Sequence, residues 1–577
     1  MHYFLNFTTM VFLLLSFVFI LTSHSQDYSF SGKVVDFSNK PVSGATVKLK
    51  KAGNSTTTGS DGSFTLSDNI TAINGTQSLV SQPNFASLSN GYLEVNISRS
   101  TPVSITVFSV CGKIIFHKKA LFNTGIHTIS IPVNSQGIYL IRVRSEGQEV
   151  TFKTSPIEGK NLGSKIVVND YSTKTLAKHV SKSLFNDSLF VTKANYLDYR
   201  TKMYNKTKES GMVIRIASVD HPLYTRTQIY KIGSAPFPSC HCASIEELQD
   251  GTLLSAFFGG TKEGAKDVEI RLCRKEPGKE WTAPISVAVG IHDGKRGPTR
   301  NPVVFETFEG KVLLFYRIFG ITKGFYLFGY MKTSTDGGKN WSNPRRIAED
   351  CIGPEKNKPV QLEDGTILSP TADRNGQIGY RVCVEKSTDG GETWVAMPPI
   401  KSNMDAIQPA ILIHSSGQLQ MVCRGKGPGN IPTTWSDDNG DTWSKLENTV
   451  LPGNWSGLDA VTLRDGRQLI TYNHERGGGG KGKGPRRFLN ASVSKDGKAW
   501  SAALVLGIGK SGQFSYPSVI QSRDGLVHIV HTWARRTIGY IVVNPYKITD
   551  ESVVPMPDGK WPNSGPLSMG TNRDKEG

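Results

Sequence analysis

The chain lacks the marks of a disulfide scaffold, a membrane bundle or an acidic protein. Its 577 residues hold only seven cysteines, at 111, 240, 242, 273, 351, 383 and 423, and no two are spaced as CxxC. An odd, scattered set argues against a disulfide framework and a zinc ribbon. Most of the seven sit in apolar, strand-like runs such as RVCVEK and QMVCRG, as buried free thiols do. Cys240-His241-Cys242 looks like a metal fragment, but alternation along a strand points His241 away from both thiols. No metal and no cofactor is expected. Beyond residue 26 no stretch is long and apolar enough to span a bilayer. The N-terminal run VFLLLSFVFILTS has the length of a signal-peptide core and is short for a span. Residues 1–26 are therefore read as a signal peptide. An uncleaved anchor is the alternative, since only His2 could charge the n-region. The protein is expected outside the cytoplasm: secreted, periplasmic or at the cell surface, with no span in the mature chain. Acidic residues are also scarce: 49 Asp and Glu against 67 Lys and Arg, a net charge of +18. A basic balance suits an anionic partner. Export disfavours nucleic acid and leaves an anionic glycan as the expected partner.

What is abundant is turn chemistry. The 59 glycines and 29 prolines favour short strands over long helices. Six turn-plus-strand units recur: QDGTLLSAF, FEGKVLLFY, EDGTILSP, SSGQLQMVC, RDGRQLITY and RDGLVHIVH. A second mark, SxDxGxxW, follows several of them. Full copies run from Ser334 to Trp341, Ser387 to Trp394 and Ser436 to Trp443; a shortened copy runs from Ser494 to Trp500. The physics of this box is local. Its Asp accepts backbone N–H bonds inside the turn, its glycines reach positive φ, and its Trp packs between sheets. Six such units predict an all-β fold: a six-bladed β-propeller over 213–547, preceded by small β-sandwich modules. The segments TRTQIYKIG and IGYIVVNP suit ring closure by one strand from each end.

Before the propeller, residues 27–80 alternate between Gly, Pro and Asx turns. They resemble the carboxypeptidase-regulatory-like domain in Pro41–Val47 and Asp61–Phe64. Residues 92–155 resemble the sorting domain of Bacteroidota type IX secretion, in Cys111-Gly112-Lys113, Gly125-Ile126-His127 and Gly137-Ile138-Tyr139-Leu140. Here that module is internal. Residues 156–212 read as a linker with local structure, and 548–577 as a C-terminal tail.

The boxes, with phrases such as PSCHCASIEELQDGTLLSAFFGG and YPSVIQSRDGLVHIVHTW, resemble the sialidase-like BNR-repeat superfamily. That resemblance implies a substrate carboxylate held by three arginines, a Tyr nucleophile activated by Glu, and an Asp acid. Carried over residue by residue, Arg424 matches the second arginine. Arg486 matches the third, with Arg487 as its rival, and Tyr516 matches the nucleophile. His241 stands where the first arginine belongs, and Gln408 stands where the activating Glu belongs. The carboxylate that would prop the first arginine is absent near His531-Thr532. The acid falls at Asp267 or Glu263. Lys358, Asp459 and His531 are further pocket candidates. The Gly-Lys run at 477–487 is not a phosphate loop, because it lacks the GxxxxGK[ST] pattern.

A His and a Tyr facing cations form the set needed for β-elimination at a uronic acid. Arginine neutralises the carboxylate, and one of the pair removes the α-proton while the other protonates the leaving oxygen. The expectation is a secreted lyase or dehydratase with His241 and Tyr516 catalytic, and with Lys358, Arg424, Arg486, Gln408, Asp459 and His531 binding substrate. An exo-α-sialidase and a non-catalytic carbohydrate-binding propeller are the alternatives.

Overall fold

The computed structural model describes residues 28–67, 86–89, 92–97, 100–109, 114–130, 139–145, 148–157, 160–165, 186–204, 206–321, 327–373, 380–426, 429–475, 485–508, 513–562 and 567–568. The expected signal peptide, Cys111–Lys113, Gly137-Ile138 and most of the Gly-Lys run lie outside these residues. Regular structure is almost entirely strand, with two short 3-10 turns near the C-terminal end.

Six sheets built on four consecutive strand positions occupy 224–543. Their inner strands are Ser239–Glu247, Thr299–Glu306, Val360–Gln361, Ala406–Ile413, Asp459–Thr462 and Phe514–Gln521. Each is followed by its Asx-Gly turn, or the equivalent, and then by its neighbour in the sheet. Tyr224–Gln228, from before the first sheet, pairs with Thr537–Val543 and completes the last. That pairing closes the ring with non-local contacts. Both faces of these strands are apolar (Leu253–Gly260 is buried throughout), as expected when each sheet packs between two others.

The inner ends are tied in cyclic order by hydrogen bonds from side chains. Val304 N donates to Ser244 Oγ, Phe308 N to Gln361 Oε1, and Asn357 Nδ2 to the Gln408 carbonyl. Ile413 N donates to Thr462 Oγ1, Val519 N to Asp459 Oδ2, and Ile245 N to Ser518 Oγ, which returns to the first sheet. The axis is thus built of polar residues whose backbone partners lie one sheet away.

The boxes staple one sheet to the one before it. In the second copy Asp389 accepts from Glu392 N and Thr393 N, Ser387 Oγ accepts from Gly391 N, and Trp394 Nε1 donates to the Gly391 carbonyl. Gly391 has φ +83°, and a Cβ there would fall 2.6 Å from Leu313 of the preceding sheet. Glycine is needed for both reasons.

Residues 186–215, of which 186–212 are expected in a linker and 213–215 at the start of the propeller, are instead three strands of the first sandwich. Ser29–Val35, Ser63–Ser67 and Lys208–Arg215 form one sheet; Thr46–Leu49, Ser55–Thr57, Asn186–Thr192 and Tyr199–Tyr204 form the other. Phe30, Val34, Val47, Leu49, Leu189 and Val191 fill its core. The return strands are mostly polar on their outer face, so their alternation is faint in sequence. Their partners lie well over a hundred residues away. Residues 70–183 make a separate compact unit. It holds a five-stranded and a three-stranded sheet, with Leu93, Val95, Ile105, Val107, Ile141 and Val143 as core.

Candidate active site

Four inner strands carry the same irregularity. The pairing register slips between His241 and Ser244, Arg300 and Val303, Ile407 and Ala410, and Ser515 and Ser518. At each slip one non-glycine residue has positive φ: Cys242 (57°), Asn301 (48°), Gln408 (51°) and Tyr516 (54°). Three of the four precede proline, which normally drives the preceding residue to extended backbone. A bulky Tyr held left-handed is strained, and such strain persists where surrounding structure enforces it. The bulges turn the residues at each strand's start toward the axis.

Tyr516 is 9% exposed. Arg424 Nη1 donates to its hydroxyl at 2.6 Å and to Gln408 Oε1 at 3.1 Å. The Arg486 guanidinium lies 5.2 Å from the Tyr516 ring centroid, and Arg486 Nη2 donates to the Trp455 carbonyl. Burial alone would raise the phenol's pKa; Arg424 and then Arg486 more than offset it, and the net direction is down. Arg487 is exposed with its guanidinium over Phe488, so Arg486 is the arginine brought to Tyr516.

His241 is buried with its ring centroid 4.2 Å from that of Tyr516. Its Nδ1 lies 2.8 Å from Thr532 Oγ1, which also accepts from Cys242 N. The Thr532 hydroxyl can donate to Nδ1 while it accepts from Cys242 N, and in that tautomer Nε2 carries the proton. Burial first, then Arg535, Arg486, Arg424 and Arg300, hold the His241 pKa well below its usual range. The imidazole is neutral.

Three contributors were not singled out in the sequence. Arg300 occupies in the second sheet the position that His241 holds in the first. An alignment of the bulged strands would have shown it. Arg535, in the turn between Val527–Trp533 and Thr537–Val543 of the last sheet, has its carbonyl bonded to Cys240 N, beside His241. Glu355, fully buried, accepts from Gln408 N. The acid rivals separate. Asp267 accepts from Thr261 in an exposed turn, whereas Glu263 bonds Arg535 at 2.7 Å and Arg300 at 3.3 Å.

The remaining candidates are placed elsewhere. Lys358 Nζ bonds Asp459 Oδ2 at 2.7 Å and Ser518 Oγ at 3.1 Å. Both Lys358 and Asp459 line a separate cavity of about 590 Å³, toward the turn ends of the inner strands and the Arg200–Lys202 segment of the first sandwich. The lysine brought close to Tyr516 is Lys356, buried and donating to the Leu458 and Pro517 carbonyls. His531 is a core residue: its ring stacks on Phe514, fills the space left by Gly539, and has its pKa driven down to about 3 by burial. The thiols of Cys240 and Cys242 are pushed up to about 12 by burial, and no group of three metal-binding side chains occurs among the described residues.

The ring of sheets thus carries Asp-box staples and brings Arg424, Arg486, Arg300 and Arg535 together around His241 and Tyr516. Residues 251–529 match the family model of the BNR repeat-like domain, and residues 89–155 match that of the secretion system C-terminal sorting domain. The chain therefore carries a sialidase-like BNR-repeat domain together with a type IX sorting domain, which indicates export or a cell-surface location. Among solved structures it is similar to a protein of unknown function from Dyadobacter fermentans, at 19% identity and TM-score 0.45, covering 56% of this chain and 99% of that one. It is similar to the Hadza microbial sialidase Hz136, at 14% identity and TM-score 0.47, covering 80% and 95%. A third is the Penicillium chrysogenum alpha-L-arabinanase complexed with arabinobiose, at 14% identity and TM-score 0.43, covering 56% and 99%. Among curated proteins no relative matches.

Proposed function

We propose that this protein is an exported carbohydrate-active enzyme that cleaves an acidic glycan by β-elimination at a uronate residue. The observation that carries this reading is the state of Tyr516. Its hydroxyl is held by Arg424 with Gln408 behind, where a hydrolytic Tyr would have a carboxylate, and two guanidiniums pull its pKa down. A phenol whose proton loss is eased by two guanidiniums can serve as the base. With the substrate carboxylate against Arg424 and Arg486, the α-proton is acidified. Tyr516 takes it, and the C–H electron pair becomes the new double bond. The bond from the β-carbon to the glycosidic oxygen breaks, with its electrons leaving on oxygen. His241 Nε2–H protonates that oxygen and is reprotonated by Tyr516 at its side.

The family positions of Tyr516, Arg424 and Arg486 favour a second reading, an exo-sialidase-type hydrolase. Against it stand Gln408 in place of the activating Glu, and Glu263, a poor acid: Arg535 and Arg300 outweigh the effect of burial and lower its pKa. The test is incubation with uronate oligosaccharides and sialosides. Release of an unsaturated, ultraviolet-absorbing uronate supports elimination. Free sialic acid at enzymatic rates overturns it, and binding without product leaves a carbohydrate-binding propeller.

A further inference from the structure

The charge at the outer end of this pocket exceeds what one carboxylate needs. Arg424 and Arg486 flank Tyr516, while Arg300 and Arg535 are both bonded to Glu263. All four guanidiniums act on the His241 ring, and Glu263 is the carboxylate facing them. Deeper in, cation and anion are matched: Lys358 has Asp459, and Lys356 is bonded to carbonyls. The outer pair is also partly open. Side-chain exposure is 16% for Arg300, 28% for Arg535 and 33% for Glu263, so all three border solvent and not a sealed core. Glu263 takes one bond from each guanidinium, through a different oxygen for each, and so holds the two side by side. Arg535 is in turn fixed by Nε donating to Gln513 Oε1 at 2.7 Å and by positive φ at Ala534 and Arg535. Like charges gathered this closely repel unless a ligand neutralises them.

We propose that Arg300 and Arg535, positioned by Glu263, form a second anion subsite, so that the substrate carries two anionic groups: a carboxylate at Arg424 and Arg486, and a sulfate ester or second carboxylate at Arg300 and Arg535. This rests on the acidic-glycan reading. Glu263 is a positioning residue here, and Arg300 and Arg535 set specificity.

The experiment measures binding of the full chain, by calorimetry, to three probes: unsulfated chondroitin disaccharide, its monosulfated counterparts, and a diuronate with adjacent carboxylates. One of the doubly anionic probes should bind at least about tenfold tighter than the singly anionic one, the scale of one charged hydrogen-bonded contact. Arg535→Ala should bring the ratio of affinities for the doubly and singly anionic probes close to one; Glu263→Gln should reduce that ratio. Arg535→Lys, which keeps the charge without the fork, guards against a folding artefact and should retain part of the preference. Equal affinity for all probes in the unmodified protein overturns the second subsite while the uronate reading stands. A preference that survives in both Arg535→Ala and Arg300→Ala overturns it too. If no acidic glycan binds, the acidic-glycan reading itself fails and the subsite falls with it.

Discussion

Two clusters of charge gather around the inner strands, and they differ in burial and pairing. Around His241 and Tyr516 gather Arg424, Arg486, Arg300 and Arg535, and of these Arg300 and Arg535 share Glu263 and are partly exposed. Farther along, Lys358 meets Asp459, which is 2% exposed at its side chain and also accepts from Val519 N. Cation type and depth do not distinguish a site from a strut. Context does. A buried cation paired one-to-one with a buried carboxylate is structural, whereas several guanidiniums gathered at a partly exposed edge suit an anionic ligand.

Substitutions can break this comparison at either end. Tyr516→Phe should have the largest effect, lowering the rate of product formation by about 10²–10⁴-fold, the usual worth of a positioned acid–base group. Single-turnover assays would check it, and a rate within a few-fold of the original would remove Tyr516 from the chemistry. Lys358→Met should instead destabilise the fold by about 3–5 kcal/mol, because it strands buried Asp459. Denaturant unfolding reads this; unchanged stability with a raised KM would move Lys358 into the substrate site. Arg424→Ala should raise KM by about ten- to a hundredfold, with stability less affected than in Lys358→Met.

The smallest effect belongs to the rim. Asp438 is held at about 2, below its ordinary 3.8, by the Thr442 hydroxyl and backbone N–H bonds. Asp389 is likewise near 2: burial opposes, but bonds from Thr393, Ser387 and Glu392 N win. Both folded-state values are depressed. Their stabilisation is therefore fully present above about pH 4 and is lost as pH falls toward 2. Asp438→Asn should flatten that part of the melting-temperature profile, and an unchanged acid limb would show that the staples do not govern acid stability.

The propeller was legible because its signals are local and repeated. An Asx-Gly turn and an SxDxGxxW box close within a few residues, and each recurs, so chance is excluded without knowing any partner. Arg424, Arg486, Gln408 and Tyr516 were legible because each stands at a fixed distance from such a turn. Lys358 looked equivalent by the same reasoning and is not, since a strand's period of two cannot say which end of the axis a long side chain reaches. His531 failed similarly: its neighbour Gly539 vacates the volume it fills, a fact of packing across two strands.

By itself the sequence determined the strand-and-turn repeat, the stapling boxes, the reduced buried thiols and the cationic character. These depend on bonds within a turn or on composition. The tertiary structure alone decided that 186–215 return to the first sandwich. It decided that four strand starts bulge into left-handed backbone, and that Arg300, Arg535 and Glu263 join His241 and Tyr516. Each of these brings together residues separated by up to hundreds of positions. Such contacts follow from ring closure and sheet packing, which no local pattern encodes.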